Sequence, residues 1–386
     1  MQGFFCFWCN FHAVKEHSIV IIGGGLAGLT AAIHLSLEGL DVAVIEMKPL
    51  PHHKVCGEYV SKEIQPYLKR LGIDLKFEGA VDISKFQIST QDGYIVETDL
   101  PLGGFGISRY ALDHLLYQRA QELGVQFYFE KVIETVFKED LFTIKTKSGC
   151  YSSKIAIGAY GKRSVLDKTL DRDFSKRKQS WLAVKAHYSI ADFPKNLVAL
   201  HNFKGGYGGL SQTESGAVNF CYLAHYDSFK KYKDVESFNT EVVAENPFLK
   251  QFLSSAKPIF DQPMTIAQIA FDKKENVVDH MLMCGDTAGL IHPLCGNGMA
   301  MAIHSAKIAS EFIVRFFKDA DYSRNILEQD YKGAWAKAFK KRLWFGRKLQ
   351  GILMNKTWVS VGIKSVGRSN SILKFIISKT HGDLIA

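Results

Sequence analysis

The pattern of apolar and polar positions near the start of the chain predicts a strand, a helix and a second strand. Residues 18–22 form a continuous β-branched run, as a strand buried on both faces requires. Residues 29–37 place apolar side chains on one face at helical spacing, and residues 41–46 return to a short apolar run ending in Glu46. This order of elements with short connections is typical of an α/β unit with a parallel sheet.

An uncharged stretch in this unit also has the length of a membrane span. Residues 18–37 contain no Asp, Glu, Lys or Arg over twenty positions. Four glycines interrupt the stretch: Gly23, Gly24, Gly25 and Gly28. Because the glycines fall between the predicted strand and helix, we interpret the stretch as a strand, a turn and a helix.

The turn has the G-x-G-x-x-G spacing of a dinucleotide-binding loop. Gly23 permits a tight turn, Gly25 lets the backbone approach a pyrophosphate, and Gly28 lets helix and strand pack closely. The free N–H groups of the helix N-terminus suit phosphate, and Glu46 is placed to accept hydrogen bonds from ribose hydroxyls. The alternative is a glycine-rich turn that binds nothing. The predicted contacts of this module are Gly23, Gly25, Leu26, Ala27, Gly28, Glu46 and Met47.

Two later motifs favour FAD over NAD. Arg109 opens a predicted helix, where its charge opposes the helix dipole unless an anion is bound nearby. A predicted strand over 277–284 is followed by Gly285 and Asp286, where the carboxylate suits a sugar-like hydroxyl. Gly296 and Gly298 then clear room for a flat ring at the start of a helix over 299–317. The remaining predicted cofactor contacts are Lys54, Val132, Pro293 and Met299.

Strand-like segments fill much of the middle of the chain: 81–99, 181–190, 197–203, 217–224 and 263–271. A helical pattern over 235–255 is interrupted at Pro247. We predict a discontinuous FAD-binding domain with an inserted substrate domain, a basic helical C-terminal region and an N-terminal extension. The predicted boundaries are 17–80, 104–175 and 272–320 for the FAD-binding domain, 81–103 and 176–271 for the substrate domain, 321–386 for the C-terminal region and 1–16 for the extension.

The motifs over roughly 17–320 resemble those of the glutathione-reductase-type FAD superfamily. The similar branch contains para-hydroxybenzoate hydroxylase and the geranylgeranyl reductases. The resemblance implies an α/β, Rossmann-like FAD-binding domain with an inserted antiparallel-sheet substrate domain. The segment from Lys54 to Tyr59 is similar to the K-P-C-G-G loop that lies over the flavin ring in the reductases, with Val55 in place of Pro and Glu58 in place of the second Gly.

Candidate chemistry follows from that loop. If it covers the ring, Cys56, Glu58 and Tyr59 are the candidate acids for reduction of a C=C bond by hydride from flavin N5. A small buried cysteine and a loop-capping glutamate are the alternatives for Cys56 and Glu58. Tyr160 stands where the hydroxylases have an aspartate, which argues against docking of NAD(P)H in their manner.

Three functions remain open on the sequence. The favoured one is an FAD-dependent reductase of C=C bonds in an apolar, isoprenoid- or polyketide-like substrate. The second is a monooxygenase that hydroxylates an aromatic or apolar substrate through a C4a-hydroperoxide. The third is a non-catalytic flavin-binding or redox-sensing protein. The electron donor is open among NADPH, NADH and a reduced carrier protein, and no metal site is predicted.

Charge is concentrated at the C-terminal end. The net charge is +9, and residues 331–386 contain twelve Lys and Arg against one acid, Asp383. Such a region suits an anionic membrane surface or a solvated helix packed on the body, and we expect no nucleic-acid partner. The seven cysteines are odd in number and irregularly spaced, and Cys6 and Cys9 form an isolated C-x-x-C. We expect a cytoplasmic protein without a disulfide framework, with peripheral attachment to the inner membrane face as the accompanying alternative.

Overall fold

The computed structural model describes residues 14–177, 180–269, 271–290, 296–353, 362–364 and 370–386. The strands are β1 Lys15–Ile22, β2 Val42–Glu46, β3 Tyr59–Ser61, β4 Val81–Ser89, β5 Ile95–Gly106, β6 Gln126–Phe129, β7 Val132–Lys138, β8 Leu141–Thr146, β9 Cys150–Gly158, β10 Trp181–Ser189, β11 Leu197–Phe203, β12 Gly206–Gln212, β13 Val218–His225, β14 Lys257–Pro258, β15 Met264–Ile269, β16 Val277–Val278 and β17 Met281–Met283. The helices are α1 Leu26–Leu37, α2 Gln65–Arg70, α3 Arg109–Glu122, α4 Leu166–Thr169, α5 Tyr226–Phe229, α6 Val235–Glu241, α7 Pro247–Ser255, α8 Gly298–Lys318, α9 Arg324–Leu353 and α10 Asn370–Thr380.

The first sheet confirms the predicted Rossmann-like unit. Its main path runs β16-β17-β9-β1-β2-β6, and the pairs from β17 to β6 are parallel. Strand β1 lies in the middle of the sheet, and its last four residues are buried. Helix α1 is buried over its first ten residues because it packs against both α3 and α8. The carboxyl ends of these strands therefore meet at one edge, where α/β folds place their ligands.

The second sheet carries the inserted segments. Its main path runs β14-β10-β13-β12-β11-β4-β5-β3, with β15 on β10. The pairs are antiparallel, as predicted, except that β4 and β11 are parallel. More than a hundred residues separate these two strands, which is ample for the crossover that a parallel pair needs. Pro247 divides α6 from α7 as predicted, and the Asn246 side chain accepts from the first backbone N–H groups of α7.

The structure differs from the sequence predictions at the strand over 277–284 and at Cys150. The strand predicted over 277–284 is two short strands, because Asp279 and His280 both have positive φ angles and form a hairpin turn. Cys150 takes part in a disulfide, which the expectation of a protein without a disulfide framework did not include, whereas Cys56, Cys221 and Cys284 are free. The isolated C-x-x-C lies outside the described residues.

Most of the described part of the C-terminal region is helical, as predicted. Helix α9 packs on α8 and buries Tyr331 and Phe339 completely. Helix α10 lies against β5 of the second sheet and also contacts α9. Within the described ranges, no helix is long and apolar enough to span a lipid bilayer.

Candidate active site

The glycines in the loop after β1 have two different roles: some allow close packing, and one leaves space for a ligand. A Cβ on Gly28 would lie 1.9 Å from the Gly23 oxygen, so helix and strand can approach only without a side chain. Gly23 has φ +110° and lies against the backbone of Ala159. Gly25 differs, because the nearest heavy atom to a Cβ there is the Arg109 guanidinium at 3.8 Å. Two of the glycines serve the fold, and the third faces open space at the helix N-terminus.

A first cavity of about 360 Å³ lies beside β2. Four predicted cofactor residues line it: Gly23, Glu46, Met47 and Val132. The Glu46 carboxylate accepts from the backbone N–H of Gly24 (2.7 Å) and that of Lys48 (3.2 Å). Each oxygen keeps lone-pair capacity for a further donor, which suits the hydroxyls of an adenosine ribose. Tyr160 also lines this cavity, so no carboxylate faces it from that position.

A second cavity of about 250 Å³ extends from the glycine loop to the second sheet. The predicted site residues that line it are Gly25, Leu26, Ala27, Cys56, Glu58, Tyr59, Arg109, Gly285, Asp286, Gly296, Gly298 and Met299. The structure therefore brings together residues from five separate segments of the sequence. Lys54 and Gly28 are not among the lining residues, and Pro293 lies outside the described residues.

Positive charge is fixed next to the open face of Gly25. The fully buried Asp113 carboxylate binds Arg109 through two hydrogen bonds of 2.9 Å and Lys54 through one of 2.7 Å. Burial opposes ionisation of Asp113, but the two cations outweigh it and lower its pKa. Burial likewise opposes the charge of Arg109, and Asp113 outweighs it and raises the pKa. Two cations share one carboxylate, so an anion such as pyrophosphate is favoured here.

Four side chains hold the loop from Lys54 to Gly57, each by a hydrogen bond to one of its four consecutive backbone carbonyls. The side-chain donors are Lys185 to the Lys54 oxygen (3.1 Å), Lys162 to the Val55 oxygen (3.1 Å), Asn219 to the Cys56 oxygen (3.1 Å) and Ser211 to the Gly57 oxygen (3.3 Å). Three of these donors come from the second sheet. The loop therefore has one conformation along the cavity wall, and Cys56 lines the cavity.

Glu58 is the centre of a buried charge cluster. Its carboxylate accepts from Lys185 (2.5 Å), His187 (2.6 Å) and the backbone N–H of Arg109 (2.7 Å). Burial would raise the pKa of Glu58, but His187 and Lys185 outweigh it and lower the pKa. The residue also has φ +55°, a left-handed conformation that explains glycine at this place in the similar loops.

These contacts change the expected role of Glu58. A carboxylate with a lowered pKa keeps no proton near neutral pH, so it is unsuited to be the acid that we expected from the sequence. His53, Glu58 and His187 bring three ligand atoms within 4.8 Å of one another. The buried Lys185 ammonium already neutralises Glu58, which opposes a metal cation there.

Cys56 and Tyr59 are the two remaining candidate acids among the residues that line the cavity. The Tyr59 hydroxyl donates to the Gly103 oxygen (3.3 Å) and lies 3.4 Å from His381 Nε2. Burial raises the pKa of Tyr59, so this phenol keeps its proton. Cys221 also lines the cavity, and burial raises the pKa of its thiol to about 12. It therefore stays a neutral thiol.

The far wall of the cavity is apolar. It is built by Phe86, Leu100, Val198, Leu200, Ile269, Phe271 and Ile377. Reasoning from the sequence did not identify Lys162, Lys185, His187, Asn219 or His381. One signal was available, since Lys185 and His187 are polar side chains on one face of an otherwise apolar strand.

Comparisons with known proteins agree with this geometry. Residues 16–323 match the protein family described as "FAD binding domain". Conditioned medium factor receptor 1 of Dictyostelium discoideum is 22% identical over 369 residues, which cover 86% of this chain and 69% of the relative. Digeranylgeranylglycerophospholipid reductase 2 of Methanopyrus kandleri is 23% identical over 351 residues, which cover 87% and 86%. The flavin-dependent brominase Bmp2 shares the fold, with a TM-score of 0.77, 17% identity and 95% coverage of both chains.

Proposed function

The chain belongs to the FAD binding domain family and uses FAD, and from this premise we propose that it reduces C=C bonds of an apolar, isoprenoid- or polyketide-like substrate. The single observation that carries the proposal is the second cavity. It begins at the open face of Gly25 and ends at an apolar wall on the second sheet. A relative of similar length is named a digeranylgeranylglycerophospholipid reductase, which supports a substrate of this class.

The residues at the cofactor end fit FAD. Glu46 faces the first cavity for the adenosine, and Arg109 with Lys54 supplies net positive charge for the pyrophosphate. Gly296 lies against the Tyr59 ring, where a Cβ would approach a ring carbon to 3.0 Å. Once reduced by an external electron donor, bound FAD would supply the hydride to the substrate. The chain's own task is to bind both molecules, exclude water and deliver a proton.

We assign the proton to Cys56, with Tyr59 as its neighbour on the same wall. The clamped carbonyls of the Lys54–Gly57 loop fix the position of the Cys56 side chain on the cavity. After hydride reaches one carbon of the double bond, the thiol proton passes to the other carbon. The thiolate that remains is reprotonated from solvent before the next turnover.

Anaerobic reoxidation of the reduced flavin tests the assignment. The protein is reduced with dithionite, and geranylgeraniol is added as the probe, with hexadecane as an apolar control that has no double bond. We expect geranylgeraniol to restore the absorbance of oxidised flavin with loss of a double bond, and hexadecane to leave it unchanged. The variant Cys56→Ser should slow reoxidation while FAD stays bound, and Cys221→Ser is the matched control thiol on the same cavity.

A second candidate, oxygen insertion, is favoured by the shared fold with a protein of Pseudomonas aeruginosa described as a probable FAD-dependent monooxygenase (TM-score 0.72, 15% identity). If the reduced protein is inert to unsaturated substrates without oxygen but forms hydroxylated product when oxygen is admitted, the monooxygenase function replaces the reductase. Reduction of the flavin by NADPH or NADH, measured in the same instrument, separates a nucleotide donor from a carrier protein.

A further inference from the structure

Helix α10 has apolar side chains on two different faces. Its inner face packs Leu373 and Ile377 against Tyr59, Ile83 and Leu100. Ile377 and the following His381 line the second cavity. The helix is therefore one wall of the cavity in which we place the apolar substrate. The proposed function supplies the reason why this wall should lie at a membrane, and the inference rests on it to that extent.

The outer face carries large apolar side chains in contact with solvent. Ile372 is 49% exposed and Phe375 is 59% exposed. Lys379 follows at helical spacing on the same face, with its ammonium 4.9 Å from the centre of the Phe375 ring. Just beyond the helix, Leu384 is 60% exposed. A helix that only covered a cavity would place polar side chains on this face.

The C-terminal segments that carry this face are basic in sequence, and one of the basic side chains of α10, Lys374, pairs with Asp99 of β5 (3.7 Å). The region 331–386 contains twelve basic residues and one acid. Exposed basic side chains on the adjoining helix α9 include Lys340, Lys341, Arg347 and Lys348, and Trp344 among them is 57% exposed. Basic side chains with exposed aromatic and aliphatic ones are the composition that binds the headgroup region of an anionic bilayer.

Glu63 anchors the segment that follows α10. The buried Glu63 carboxylate accepts from the backbone N–H of Gly382 (2.5 Å) and from Arg342 of α9 (3.1 Å). The Glu63 backbone oxygen accepts from the N–H of Ile385 (2.7 Å). These bonds hold residues 382–385 against the rest of the fold and therefore fix the orientation of the outer face of α10.

We propose that the outer face of α10, formed by Ile372, Phe375 and Lys379, docks on an anionic lipid bilayer, so that the apolar cavity behind the helix lies at the membrane surface. A second copy of the chain is a poorer occupant, because two strongly basic regions would face each other. A nucleic acid would match the charge but would leave Ile372 and Phe375 in water.

Vesicle co-sedimentation tests the surface directly. The full chain is mixed with vesicles of phosphatidylcholine alone or of phosphatidylcholine with phosphatidylglycerol, at low and high salt. We expect binding to the anionic vesicles only, and weaker binding at high salt. The double variant Ile372→Ser/Phe375→Ser should bind roughly tenfold more weakly, because two apolar side chains no longer enter the interface. Phe77→Ser, which changes an 88% exposed phenylalanine elsewhere, should bind as the unmodified chain does.

Each other outcome overturns the proposal. Binding that is absent, indifferent to lipid charge, or unchanged in the double variant removes the docking surface. A concentration-dependent dimer in light scattering, lost in the double variant, assigns the face to a second copy instead. Because sedimentation needs no turnover, its result is independent of the flavin experiment, and failure of one is distinguishable from failure of the other.

Discussion

Lys185 and Glu58 form a fully buried ion pair, with the ammonium nitrogen 2.5 Å from a carboxylate oxygen across 127 residues of sequence. The same ammonium donates to the Lys54 oxygen at the start of the clamped loop. The pair therefore joins strand β10 of the second sheet to the cavity wall that carries Cys56. Because Lys185 binds both the Glu58 carboxylate and the Lys54 carbonyl, it holds both ends of the Lys54–Glu58 segment against β10.

Removal of Lys185 takes away the ion-pair partner of a fully buried carboxylate, which then keeps only the hydrogen bonds from His187 and the Arg109 backbone. We expect Lys185→Met to lower the free energy of unfolding by about 3–5 kcal/mol. Urea denaturation measures the change, and the double variant Lys185→Met/Glu58→Gln should recover part of it. Lys176→Met removes an exposed ion pair with Asp171 and should have little effect. A single variant Lys185→Met as stable as the unmodified chain would contradict the role of the pair.

The glycine loop allows ligand binding and folding to be separated. We expect Gly25→Val to fold normally but to purify without FAD, because its side chain enters open space where the phosphates approach. Gly28→Val should lose both FAD and stability, because its Cβ meets the Gly23 oxygen at 1.9 Å. The ratio of flavin to protein absorbance and the thermal midpoint report the two effects. A Gly25→Val protein that stays yellow would show that the loop does not bind the cofactor.

The sequence predicts the parts of the site that are local along the chain. The first strand, the glycine loop and Glu46 lie within about thirty residues, so their spacing alone defines their geometry. The Glu58 cluster is different, because its partners Lys185 and His187 lie on β10, 127 and 129 residues further along the chain. Periodicity shows which side chains share a face of β10, but it does not show which loop will cover that face.

The Glu63 anchor gives a prediction for the C-terminal segment. We expect Glu63→Gln to increase amide hydrogen exchange over 370–386 roughly tenfold or more, because the carboxylate charge that strengthens the bonds from Gly382 and Arg342 is lost. Mass spectrometry of deuterated peptides measures the change. Exchange in the buried strand β1 should not change, and Glu78→Gln, at an exposed position, is the control. Equal exchange over 370–386 in both variants would show that Glu63 does not hold the segment.

Buried histidines with a lowered pKa make the folded protein less stable as the pH falls. His201 is 2% exposed, and burial lowers its pKa to about 4 from the ordinary 6.5. Since the unfolded chain binds the proton more tightly, the stability from neutral His201 is fully present above pH 6.5 and is lost as the pH falls toward 4. We expect this residue alone to cost roughly 2 kcal/mol of unfolding free energy between pH 7 and pH 5. The measurement is urea denaturation at each pH.

Two substitutions separate the effect of protonating His201 from the effect of the packing around its ring. His201→Gln removes the titrating group, so its stability should fall less steeply below pH 6.5 than that of the unmodified chain. Phe248→Leu removes the ring stacked 5.2 Å from His201 but leaves the histidine, so it should lower stability at every pH and keep the steep dependence. His34 and His304 also have pKa values lowered to about 4 by burial, so some dependence remains in His201→Gln. Identical slopes in all three proteins would mean that His201 is protonated equally readily in the folded and unfolded chain.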